Sequence, residues 1–205
     1  MLCLLRLMDS KFAATVKSLQ AALRRYLVRT CRYHFIEEWH IPGTREQVAE
    51  VILDTHKLSG WWAATFRSVC VTDHGAEDGT GKEFQAVVQG WLPYRLQMTF
   101  VITDVILPER FQVQVSGDLE GTGTALLEQQ DGVVRLHFDW DVRVRRRLLR
   151  SMSPVLKPLI CINYLWNMSI GHRRMACEVI RRNPDCVASA GRGSRFIPLV
   201  VGAAD

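Results

Sequence analysis

Several common signals are missing from this 205-residue chain, and each absence removes a class of protein. No run of about 20 apolar residues occurs, so no helical membrane span is expected. Six cysteines, Cys3, Cys31, Cys70, Cys161, Cys177 and Cys186, stand apart without CxxC pairing. That spacing points away from structural zinc and a dense disulfide framework, and towards a reducing, cytoplasmic setting. GxSxG, HExxH, P-loop and dinucleotide fingerprints are all absent, so no motif asks for a cofactor or a metal. The opening residues lack a basic leader region and Arg6 breaks their apolar run, which argues against a secretory signal.

Acids are scarce at both ends of the chain. Residues 1–32 carry a net charge of +6, residues 33–141 carry −10 and residues 142–182 carry +9, so the overall +5 conceals a dipolar molecule. Arg143, Arg145, Arg146, Arg147 and Arg150 could meet an anionic membrane, or could simply neutralise the acidic middle. Nucleic acid is disfavoured, because the aromatics lie on apolar strand faces and are not interleaved with the basic residues. Residues 10–29 place Phe12, Val16, Leu19, Leu23 and Tyr26 at helical spacing among lysines and arginines. They form a basic amphipathic helix suited to an anionic membrane, to a partner's surface or to organelle targeting, or an appended segment without function.

What is present in quantity is strand. Val134, Leu136, Phe138, Trp140, Val142 and Val144 alternate with charged residues or His, so one face is buried and one is wet. Asp131-Gly132 before them signals a tight hairpin turn. Residues 122–129, 111–116, 96–102, 82–89 and 67–72 continue the pattern backwards, and residues 33–41 add one strand at the front. No connection is long enough for a crossover helix, so the pairing is antiparallel. The Gly-rich stretch 117–123 reads as a turn between strands.

Two short helices follow the first strand. Thr44-Arg45-Glu46-Gln47 has the form of a capping box, and residues 54–64, with Trp61 and Trp62, return the chain to the sheet. A long helix is expected from about Pro154 to Arg182, with Pro154 and Pro158 in its first turn. Its apolar stripe is read as Leu159, Ile162, Trp166, Ile170, Cys177 and Ile180. The fold class is therefore α+β: a curved antiparallel sheet of about seven strands around a long C-terminal helix. The domain spans residues 33–182, between an extension at 1–32 and a tail at 183–205.

Catalytic patterns are sparse. His34 and His40 lie roughly 20 Å apart along one strand and cannot share a metal. His137, Asp139 and Asp141 fall on the solvent side of theirs. Glu37, which shares parity with Phe35 and Trp39, and Tyr164 are the only candidates for acid or base chemistry.

Glu38-Trp39-His40-Ile41-Pro42-Gly43-Thr44, Gly60-Trp61-Trp62, Gly90-Trp91-Leu92-Pro93-Tyr94, Gly117-Asp118-Leu119-Glu120-Gly121, Phe138-Asp139-Trp140 and Asn163 with Met168 and Gly171 follow one another in an order that resembles the START-like helix-grip (SRPBCC) superfamily, especially its polyketide cyclase/dehydrase-like branch. The likeness covers residues 33–182. Tyr164 stands where a His after Asn163 would be expected. The resemblance implies a sheet gripping a helix around a hydrophobic cavity for lipids, isoprenoid quinones or aromatic polyketides, with catalysis in some members and binding alone in others.

Inward parity nominates Trp62, Phe84, Val88, Met98, Phe100, Phe111, Val113, Phe138, Trp140, Asn163, Trp166 and Ile170 as ligand contacts, with Asn163 as the orienting polar group. The function read from the sequence is binding of a hydrophobic small molecule, with transport as its extension. The alternatives are an aromatase/cyclase or dehydrase, a membrane-associated quinone or lipid chaperone, and an interaction module with a filled core.

Overall fold

The computed structural model describes residues 31–184 and, for residues 147–155, the backbone alone. The expected basic helix at residues 10–29, Cys3 and Cys186 lie outside the described residues.

Seven strands form one antiparallel sheet: β1 (Arg32–Pro42), β2 (Phe66–Asp73), β3 (Glu83–Val88), β4 (Leu96–Ile106), β5 (Arg110–Gly117), β6 (Leu119–Gln130) and β7 (Val133–Val144). Their order is β1-β7-β6-β5-β4-β3-β2, a meander whose last strand closes against the first. Between β1 and β2 come α1 (Arg45–Leu53), a 3-10 turn (Thr55–Lys57) and the single-turn α2 (Leu58–Trp61); α3 (Arg147–Arg182) follows the sheet. This is the α+β helix-grip arrangement.

Local chemistry accounts for the junctions. The Thr44 N–H donates to Gln47 Oε1 at 2.9 Å, and the Gln47 N–H donates back to Thr44 Oγ1 at 3.4 Å, completing the capping box at the start of α1. Asp131 and Gly132 both take positive φ, 40° and 79°, which a two-residue hairpin between β6 and β7 requires. The turn read at residues 117–123 is confined to Gly117-Asp118, and β6 starts at Leu119. Gly121 and Gly123 are strand residues, and a Cβ on Gly123 would come within 2.7 Å of the Trp140 ring. A bare backbone lets that indole lie flat on the sheet.

The concave face buries Tyr33, Phe35, Trp39 and Ile41 from β1 and Val134 and Leu136 from β7. The convex face holds charge in rows: Arg32 pairs with Asp141, His34 Nε2 lies 2.8 Å from Asp139 and Arg135 donates to Glu128 at 2.6 Å. His137, Asp139 and Asp141 thus lie on the solvent side. Arg143 and Arg145 pair with Glu120, and Arg146 pairs with Asp118, so these three arginines neutralise sheet acids.

Two expectations for α3 need correction. The helix starts at Arg147, so Pro154 and Pro158 lie within it, beyond its first turn. Its buried side is also not the predicted stripe. Leu159, Ile162 and Trp166 are among the exposed large hydrophobics and Cys177 is exposed, whereas Asn163, Asn167, Met168, His172, Met175 and Val179 are buried. At the C-terminal end Arg182 donates to Asp54 at 2.9 Å and to Glu178 at 2.8 Å, pinning α3 to the end of α1. Arg181 and Arg182 together hold the Glu178 carboxyl down at about 2.

Candidate functional site

Between the concave sheet and α3 lies a cavity of about 210 Å³ whose wall is almost entirely carbon. A second cavity, of about 130 Å³, adjoins it towards β5 and α1. Trp62, Phe66, Phe100, Phe138 and Trp140 border both, so a rim of five aromatic residues divides two lobes. Protein interiors contain few voids larger than a water molecule, so two adjoining ones are a built feature. An apolar cavity of about 150 Å³ suffices for benzene. The larger lobe alone therefore admits a compound of one to two rings.

The predicted contacts separate into groups. Val88, Met98 and Asn163 line the larger lobe; Phe84, Phe111 and Val113 line the smaller; Trp62, Phe100, Phe138 and Trp140 line both. Trp166 and Ile170 line neither, and Trp166 is 39% exposed. They sit on the outer side of α3, because the buried side is set by Tyr164, Met168, Gly171, Met175 and Val179 at three- and four-residue spacing. Tyr33, Phe35, Thr65, Tyr94 and Asn167 also line the larger lobe and were missed. The first two were legible from strand parity; Asn167 was legible as the residue one helical turn beyond Asn163.

Polar groups around the larger lobe are largely engaged with one another. Asn163 Oδ1 accepts the Leu92 N–H at 3.3 Å, and the Asn163 side chain is hydrogen-bonded to Tyr94. Asn167 Oδ1 accepts the Thr65 hydroxyl at 2.8 Å while its Nδ2 donates to the Asn163 carbonyl at 2.8 Å. Gly90 abuts both asparagines, leaving no room for a Cβ. Asn163 thus braces α3 against the segment joining β3 to β4. The Trp62 indole N–H donates to the Asn167 carbonyl at 3.3 Å and its ring fills the space a side chain at Gly171 would need.

Two groups stand apart. The Tyr164 ring stacks on Phe35 with centroids 3.7 Å apart, and its hydroxyl is buried without a hydrogen-bond partner. Burial, then the negative charges of Glu37 and Asp139, push that phenol well above its ordinary pKa. Glu37 lies on the concave side of β1, half-buried, with no ion pair among the described residues. Burial pushes its carboxyl from 4.5 up to about 7. Glu37 does not form part of either cavity wall. Farther along α3, His172 donates from Nε2 to the His40 carbonyl at 3.0 Å, and burial lowers its pKa. Among the described residues no cluster of His, Cys, Asp and Glu could hold a metal.

No protein-family model matches the chain, and no curated protein does. Solved structures do. The Zhui aromatase/cyclase from Streptomyces sp. R1128 superposes with a TM-score of 0.61 at 13% identity, covering 74% of this chain and 95% of that one. A START superfamily protein from Mycobacterium smegmatis gives 0.60 at 11% identity, over 74% and 99%. A protein from Thermus thermophilus gives 0.60 at 15% identity, over 73% and 99%. With the meander, the gripped helix and the cavity between them, this likeness identifies the fold of the chain as the START-like helix-grip fold.

Proposed function

We propose that this protein binds a flat, largely apolar ring compound between sheet and helix. The observation that carries the reading is the two-lobed cavity with its aromatic rim. Apolar walls with few free polar groups suit quinone-like or polyketide-like molecules, whose rings stack on Trp62, Phe138 and Trp140. An aromatase/cyclase is among the solved structures that share this fold. A carrier role would add only release of the same ligand. A filled-core interaction module is disfavoured, because such a core would leave no adjoining voids. Native mass spectrometry of the purified protein, followed by solvent extraction, tests the proposal. A stoichiometric ring compound supports it; an apo mass with no rise in melting temperature across naphthols, naphthoquinones and anthraquinones sinks it.

A second reading rests on Glu37. A carboxyl that titrates near 7 can both accept and return a proton at neutral pH, as general acid or base chemistry requires. Beside it, the unpartnered Tyr164 hydroxyl could donate to a developing oxyanion. Glu37 lines neither lobe whereas Tyr164 lines the larger, so in an aromatase/cyclase or dehydrase of this design Glu37 would act through Tyr164, and Glu37→Gln would lower turnover of a polyketone and leave product binding intact. Unchanged turnover would remove Glu37 from the chemistry.

A further inference from the structure

The outer side of α3 carries apolar residues that stand exposed among the described residues. Leu159 is 41% exposed, Ile162 55% and Trp166 39%, and their spacing of three and four residues makes them one stripe. Trp91, 47% exposed, extends it. It sits between Gly90, which abuts Asn163, and Leu92, whose N–H donates to Asn163. Ile162 and Trp166 flank the same asparagine at one residue before and three after. The patch therefore surrounds the junction where the β3–β4 segment meets the helix, and Gly90, Tyr94 and Asn163 at that junction wall the larger lobe.

We propose that this patch docks the protein on an anionic lipid bilayer. Charge selects that partner. Residues 142–177 contain no Asp or Glu. Arg173, about two turns beyond Trp166, and Arg95, beside the Trp91 segment, make no ion pair among the described residues; their side chains donate instead to the Ser169 carbonyl and the Gln89 side chain. Tryptophans with aliphatic neighbours partition into the headgroup region, and arginines without acidic partners beside them add attraction to anionic lipid. The basic residues 1–30 are a poor alternative cover, since their charge has the same sign. A second copy is disfavoured for the same reason: a two-fold pairing of this patch would bring two basic surfaces together. The inference does not depend on what the cavity holds.

The 205-residue chain should float with vesicles of phosphatidylcholine and phosphatidylserine, more weakly at high salt, and hardly with phosphatidylcholine alone. Ile162→Ser with Trp166→Ser should cut partitioning about tenfold or more at an unchanged melting temperature. Wild-type binding by that double variant would overturn the proposal and hand the contact to the basic N-terminal residues. A solution dimer that the variant dissociates, without vesicle binding by the wild type, would overturn it in favour of self-association. Should the double variant fold poorly, brominated lipid decides: tryptophan quenching that shrinks in Trp166→Phe supports the proposal, and no quenching in the wild type refutes it.

Discussion

The two sides of α3 invert the usual relation between hydrophobicity and burial. Its outer side carries Leu159, Ile162 and Trp166, all exposed, while its inner side buries Asn163, Asn167, Gly171, His172 and Met175. Shape and hydrogen bonding chose the inner side. Gly171 is there because the Trp62 ring occupies the space beside it, and the asparagines are there because Leu92, Tyr94 and Thr65 offer them partners. A buried polar side chain is tolerated once its donors and acceptors are satisfied. The exposed stripe then needs a reason of its own, which the proposed membrane surface would supply.

Matched truncations on the two sides should break the symmetry most sharply. Met175→Ala, at a residue 2% exposed, should cost about 2–5 kcal/mol in urea unfolding. Equal effects from Met175→Ala and Ile162→Ala would refute the assignment of sides. Gly171→Ala should cost about 1–3 kcal/mol by pushing the new methyl into the Trp62 ring. A neutral result would mean the helix can stand off the sheet.

Glu37 sharpens the comparison through pH. Its folded pKa, about 7, lies above its ordinary 4.5, so between those values the folded state holds a proton that the unfolded state releases. Its contribution is therefore full below about pH 4.5 and lost as pH rises through 7. Glu37→Gln should remove that decline, raising stability at pH 8 relative to wild type by about 1 kcal/mol after discounting for half-exposure. Parallel pH profiles for variant and wild type would place Glu37 in water. Smallest of all, Ile162→Ala should change stability by less than about 0.5 kcal/mol, as surface substitutions do.

Strand content, antiparallel pairing, the capping box and the Asp131-Gly132 hairpin were legible because each is written in a few neighbouring residues. The concave face of β1 and β7 was legible too, since alternation leaves only two faces to choose from. The helix was harder. A stripe at helical spacing exists on both sides of α3, and the more hydrophobic one reads as the core when only transfer energy is weighed. Asn163 lines the larger lobe, but its role as a brace depends on Leu92 and Tyr94, some 70 residues earlier in the chain.

By itself the sequence determined the architecture, because hydrogen-bonded strands and capped helices follow from local periodicity and turn chemistry. It also determined the charge split between an acidic sheet and a basic helix, which is composition alone. Only the tertiary structure decided which side of α3 faces inward, that the space left over is two lobes divided by aromatic rings, and that Glu37 is half-buried beside an unpartnered tyrosine. Those outcomes depend on how closely a helix approaches a sheet, and that distance is set by side chains that meet from opposite ends of the chain.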